Sequence, residues 1–130
     1  MKDPEFLTLD DALSLHADQI DRYGGARGVR DIGLLDSALA APRATFAGGF
    51  LHASIPEMAA AYLYHLVRNH PFVDGNKRAG LAATIAFLGL NDLWLEAPDD
   101  SLVELVVGVA EGRVDKAEVA VFLKRHARPL

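Results

Sequence analysis

The chain contains no cysteine. That absence excludes a disulfide framework and a thiolate metal centre. No apolar stretch reaches the roughly 20 residues that a bilayer-spanning helix needs, and no signal-peptide pattern opens the sequence. A soluble, cytoplasmic protein with no membrane partner is the expectation. Positive charge is in deficit: 13 Lys and Arg stand against 18 Asp and Glu, a formal net charge of −5. An acidic surface argues against direct contact with DNA as the main role, because phosphate backbones attract net positive faces. It leaves room for a small basic pocket. Repeats, linkers and low-complexity tracts are also missing.

What is present is a globular chain of 130 residues, 51% of them hydrophobic, enough for one domain with a real core. The opening "MKDPEF" fits poorly with the remainder of the chain, since Asp-Pro-Glu-Phe is what two abutting restriction sites can encode. Residues 1–6 are therefore read as a vector-derived or disordered N-terminus, and residues 7–130 as a single domain.

That domain reads as a succession of helices. Leu9, Ala12, Leu13, His16 and Ile20 recur at helical spacing behind Thr8, which forms a capping box with Asp11 in place of the usual Glu. "YGGARG" ends this helix. Asp31 caps a second, which Pro42 helps to end. "FAGGF" suggests a short hairpin with Gly48 and Gly49 at its tip. Ser54 and Pro56 start a third helix. After "HPFVDGNKR" comes "AGLAATIAFLGL", apolar on every side, the mark of a buried central helix from about Asn76 to Leu90. "LWLEA" reads as extended, and Asp100 and Asp115 as caps of two further helices. The fold class expected is all-α, a compact bundle of about six helices around a buried central one.

The stretch from His70 to Gly80, "HPFVDGNKRAG", carries chemistry that folding does not require. Its second half opens the central helix, whose first amides lack intrahelical partners and lie at the positive end of the dipole. Such an end binds anions. Gly75 lets the backbone approach a ligand, Asn76 can donate from its amide to a phosphate oxygen, and Lys77 and Arg78 add charge. Two cations at a helix N-terminus oppose the dipole, so they are not there for helix stability. Asp74 is placed either to hold Mg²⁺ beside phosphates or to cap the helix, and the two roles are compatible. His70 can accept a proton from a hydroxyl, or serve as a hydrogen-bonded core histidine. Pro71 and Phe72 are read as anchors of the loop. The chain has neither a GxxxxGK loop nor the protein-kinase motif set, and His65 and His70 lack a third ligand at zinc spacing. His16, His52 and His126 are isolated, with core or surface roles expected.

On these residues the chain resembles the Fic/Doc superfamily. The Fic pattern, His-x-Phe-x-Asp/Glu-Gly-Asn-Gly-Arg-x-x-Arg, is matched at His70, Phe72, Asp74, Gly75, Asn76 and Arg78. Lys77 replaces its second Gly and Leu81 its last Arg, both features of the Doc (death-on-curing) toxin branch. "LHADQIDRYGG", "GVRDIGLLDSALAAP", "LVRNHPF" and "VVGVAEG" resemble Doc segments in the expected order.

The resemblance implies a toxin of a Phd/Doc-type toxin–antitoxin system. Such a toxin acts as a protein Ser/Thr kinase that moves the γ-phosphate of ATP, with Mg²⁺, to a hydroxyl of a translation protein of the elongation factor Tu class. Lys77, long and cationic where Fic has Gly, and the missing last Arg agree with a nucleotide seated differently from that of Fic adenylyl transferases. The same resemblance implies that His70 takes the proton and Asp74 holds Mg²⁺. It further implies that Gly75, Asn76, Lys77 and Arg78 bind phosphates, with Arg78 stabilising the developing charge. Arg68 is a weaker phosphate contact, with a surface ion pair as its alternative, and Arg22 is weaker again. Residues 45–52 would align a target segment by strand pairing. A Phd-like antitoxin is the expected partner, because the self-inhibitory Ser/Thr-x-x-x-Glu-Gly/Asn helix of Fic enzymes is not found. The alternatives are AMP transfer to a protein hydroxyl, as in Fic proper, and an inactive antitoxin-binding module.

Overall fold

The computed structural model describes residues 3–130 and contains six α-helices joined by short links. Helix α1 spans Leu9–Tyr23. The Thr8 hydroxyl accepts the Asp11 N–H at 3.1 Å, and the Asp11 carboxylate accepts the Thr8 N–H at 2.9 Å. Ala12, His16 and Ile20, one turn apart, form its buried face. Helix α2, Ile32–Ala40, starts at Asp31, whose carboxylate accepts the Leu34 N–H, and runs into a 3-10 turn at Ala41–Arg43.

A hairpin follows, with β1 at Thr45–Phe46 and β2 at Gly49–Phe50. Its tip is Ala47–Gly48, one residue earlier than the glycine pair suggests, because Phe46 pairs with Gly49 and both tip residues take positive φ. Helix α3 spans Ile55–Asn69 and is capped by Ser54. Helix α4 is Asn76–Leu90, followed by β3, Leu93–Leu95. Helix α5, Asp99–Ala110, starts two residues earlier than expected of an Asp100 cap, directly behind Pro98. Helix α6, Lys116–His126, begins with a capping box of Asp115 and Glu118. The last strand, β4 at Ala127–Pro129, pairs antiparallel with β3.

The hub of the bundle is α3, which corrects the expectation that α4 is its centre. Residues 58–63 are fully inaccessible, and α3 packs against α2, the 3-10 turn, α4, α5 and α6. Three consecutive alanines, Ala59–Ala61, let neighbours approach from several sides. In α4 the buried positions are Asn76, Ala79, Gly80, Ala83, Thr84, Phe87 and Leu88, whereas Ile85 and Leu90 are 46% and 44% exposed. Apolar content alone does not reveal how many neighbours a helix has. The two helices meet closely at Gly80, where an added Cβ would lie 2.8 Å from Val67 Cγ2.

Glu5 and Phe6 belong to the packed chain, although the sequence sets them apart with residues 1–6. The Glu5 backbone exchanges two hydrogen bonds, both 2.9 Å, with the Asn91 side chain. Phe6 stacks on Phe87, and the Arg43 guanidinium lies over its ring. The Leu7 N–H donates to the Tyr62 hydroxyl at 2.9 Å.

One packing contact makes stability depend on pH. Lys116, at the start of α6, places Nζ 3.2 Å from His65 Nε2 on α3, which requires a neutral ring accepting at Nε2. Burial, then the Lys116 charge, pushes His65 below the ordinary imidazole range, and the same causes act on His52, partly opposed by Glu57. The folded chain therefore refuses protons that the unfolded chain accepts below about pH 6.5, so stability falls as pH drops through that point. Between about pH 7.5 and about pH 5.5 the urea midpoint is expected to fall more in the wild type than in Lys116→Met. Parallel pH profiles for the two proteins would contradict this coupling.

Candidate functional site

The site is made where α3 hands over to α4. Asn69 is the last residue of α3, and His70 behind it adopts the left-handed conformation, φ 52° and ψ 52°. A glycine usually fills that position; a residue with a Cβ there costs about 1–2 kcal/mol. The chain reverses, buries Pro71 and Phe72, and enters α4 through Gly75, also left-handed at φ 76°. An added Cβ at Gly75 would press on Ile20 Cδ1 at 3.0 Å.

Two buried side chains help to fix this loop. The buried Asn76 amide reaches back: Oδ1 accepts the Phe72 N–H at 2.9 Å, and Nδ2 donates to the Phe72 carbonyl at 3.0 Å. From α1, the buried His16 ring stacks on Phe72 at 3.8 Å between centroids, nearly parallel, and Nε2 lies 2.7 Å from the Asp74 carbonyl oxygen. With the proton on Nε2, His16 donates to that carbonyl.

No side chain caps the first turn of α4. Its amides border a cavity of about 470 Å³ lined by Arg68, His70 and residues 74–78, among others. All seven sequence-predicted site residues therefore share one cavity. Asp74 is exposed; its Oδ2 accepts the Ala26 N–H at 3.1 Å and its Oδ1 the Gly75 N–H at 2.8 Å. These backbone donors, Ala26 first, with help from Arg78, hold the carboxyl below the usual carboxylate range, so it is ionised at neutral pH. The loop from α1 comes so close that an added Cβ at Gly25 would lie 2.6 Å from Asp74 Oδ2.

The cations differ in freedom. Arg78 donates to the Gly24 carbonyl at 2.9 Å and the Gln19 carbonyl at 3.4 Å, at the end of α1. Arg68 donates to the Ala110 and Val109 carbonyls, 3.1 and 3.4 Å, at the end of α5, in place of the surface ion pair considered for it. Lys77 is exposed and makes no ion pair or hydrogen bond among the described residues. The His70 ring is exposed to the cavity rather than buried in the core.

The expected role of Asn76 has a second beside it. Its side chain is engaged on the Phe72 peptide through Oδ1 and one Nδ2 hydrogen; the second Nδ2 hydrogen and the backbone N–H are what it has to offer an anion. Sequence reading also missed His16 and Arg30, which donates to the His70 carbonyl, and the Gly25–Ala26 backbone that holds Asp74. His16 lies 58 residues from Asp74 and Arg30 lies 40 from His70, with no local signal for either.

Chemically, the arrangement is an uncapped helix N-terminus edged by three cations, suited to an anion, with an ionised carboxylate and an accessible imidazole in the same cavity. A model of the Fic/DOC family matches residues 6–88, and the chain belongs to that family. It is 45% identical over 96 residues to a protein named Toxin Doc from Mycolicibacterium smegmatis, covering 74% of this chain and 72% of that one. It is 32% identical over 117 residues to Protein kinase doc of Escherichia phage P1, covering 89% and 90%. Both relatives carry the Doc name, in agreement with the branch indicated by Lys77 and Leu81.

Replacing Asn76 by Ala leaves the buried Phe72 N–H and carbonyl unpaired, a loss of about 1–3 kcal/mol expected in chemical denaturation. Unchanged stability with weakened nucleotide binding would make ligand contact, rather than support of the loop, the main role of the Asn76 side chain.

Proposed function

We propose that this chain is the toxin of a toxin–antitoxin pair and works as a protein kinase. It transfers the γ-phosphate of Mg-ATP to a Ser or Thr hydroxyl of a translation protein of the elongation factor Tu class. The observation that carries this reading is the first turn of α4, left without a side-chain cap in the cavity that holds His70. The phage P1 relative's name supports the kinase half, and the resemblance to the Doc branch supplies the class of target.

In the transfer, the target hydroxyl oxygen forms a bond to the γ-phosphorus. The bond from that phosphorus to the bridging β–γ oxygen breaks, and ADP departs. The hydroxyl proton goes to the His70 imidazole, the only histidine lining the cavity among the described residues. The α4 amides, Lys77 and Arg78 hold the phosphates and meet the charge that develops, the dominant contribution in phosphoryl transfer. Arg78 and Arg68 are already oriented by carbonyls at two helix ends, so less freedom is lost when the nucleotide arrives. The ionised, exposed Asp74 carboxylate is a hard oxygen donor suited to Mg²⁺, which when bound neutralises phosphate charge. A Phd-like antitoxin restrains the enzyme in trans, and the site of action is the cytoplasm.

AMP transfer is the second reading, favoured by the six positions at which the motif agrees with the Fic pattern. ATP labelled at the γ or the α phosphorus separates the two. Label on the target from the γ position is expected, and label retained from the α position alone would overturn the kinase reading. His70→Ala is expected to slow transfer by about 10²–10⁴-fold and to abolish growth arrest. Undiminished arrest in that variant would favour an inactive binding module.

A further inference from the structure

We propose that Arg30 is the positioning residue for His70, an inference that rests on the proton-accepting role given to His70 above. His70 sits in a backbone conformation that its Cβ disfavours, at the end of a helix whose last carbonyls lack intrahelical partners. Something outside the helix must hold it there. Arg30 does so from both sides. Its guanidinium forks onto consecutive carbonyls, with Nε donating to His70 O at 2.7 Å and Nη2 to Asn69 O at 3.1 Å. Its own backbone N–H donates to the next carbonyl, Pro71 O, at 2.7 Å, and the Asp31 N–H joins it at 3.1 Å.

Three successive carbonyls, at residues 69, 70 and 71, are thus held by Arg30. The anchor is itself rigid. The Gly28 carbonyl accepts the Val73 N–H at 3.0 Å, and Val29 bridges Phe72 in antiparallel fashion. Among the described residues no carboxylate pairs with the guanidinium: Asp31 is occupied in capping α2 through the Leu34 N–H. The charge of Arg30 also suits the negative end of the α3 dipole, which a neutral donor would not complement. Arg30 is not among the described residues that line the cavity. The consequence of this arrangement is that the imidazole is presented to the cavity from a fixed backbone, which a general base needs, since a displacement of about 1 Å costs about 100-fold in rate.

The test combines kinetics with a direct view of the ring. In Arg30→Ala, kcat for γ-phosphate transfer is expected to fall by about 10–100-fold with KM for ATP nearly unchanged. Arg30→Lys, which keeps one donor and the charge, should recover part of the loss. In a His70→Ala background, Arg30→Ala should have no further effect on kcat, because its contribution passes through His70. Independently of any activity, the His70 ring Cε1–Hε1 resonance should shift and broaden in Arg30→Ala while the fluorescence-detected urea midpoint shows the fold retained. If wild-type transfer is absent, the kinase reading has failed, and the ring resonance alone decides the positioning role. An unmoved His70 resonance, or an equal loss of kcat with and without His70, would overturn the proposal.

Discussion

The pair of hydrogen bonds between the Asn76 side chain and the Phe72 peptide is the constraint that makes the site possible. It ties the first residue of α4 back across the loop, so that the chain can enter the helix through a left-handed Gly75 without a capping side chain. Four other helices begin differently: Thr8, Asp31, Ser54 and Asp115 each spend an oxygen on the first-turn amides. Helix α5 lacks such a cap but carries Asp99 and Asp100 in its first turn, which suit the dipole. Helix α4 has no acid in its first turn and two cations there instead. A turn that is uncapped, uncompensated and loaded with positive charge is costly for a helix alone, and a bound anion would offset that cost.

Charge around this turn is organised by helix ends. An acidic protein concentrates cations at one cavity, and two of them are steadied by carbonyls rather than by carboxylates. Arg78 rests on the end of α1 and Arg68 on the end of α5, while Arg30 rests on the end of α3. Each arrangement orients the cation through carbonyls, without a direct ion pair among the described residues. The single acid among them, Asp74, keeps its charge because backbone amides stabilise it. The site is thus electrostatically prepared by backbone groups, with Lys77 as the one free cation among the described residues that line it.

Much of the architecture was legible from local signals. The caps at Thr8, Asp31, Ser54 and Asp115 read directly, because a capping residue and its partner amide lie within three positions. The motif's place at the opening of a helix was legible for the same reason. The hub was not: α4 is the more uniformly apolar in sequence, yet α3 has the more neighbours, and neighbour number is a property of topology. Nor was the direction of the Asn76 amide, since an Asn at a helix start serves equally well toward ligand or loop. Gly24 and Gly25 read as the end of α1, whereas the close approach of Asp74 that Gly25 permits belongs to a contact 49 residues away in the chain. His16 and Arg30 are long-range supports of the same kind.

The proposed chemistry requires that the amides opening α4 receive phosphate. A titration of isotope-labelled protein with Mg-ATP, following the backbone amide resonances of residues 76–78, addresses that requirement without relying on activity. These amides are expected to shift downfield first and most, saturating together with the His70 ring. Saturation of nucleotide binding with those three amides unmoved would refute phosphate binding at this helix end.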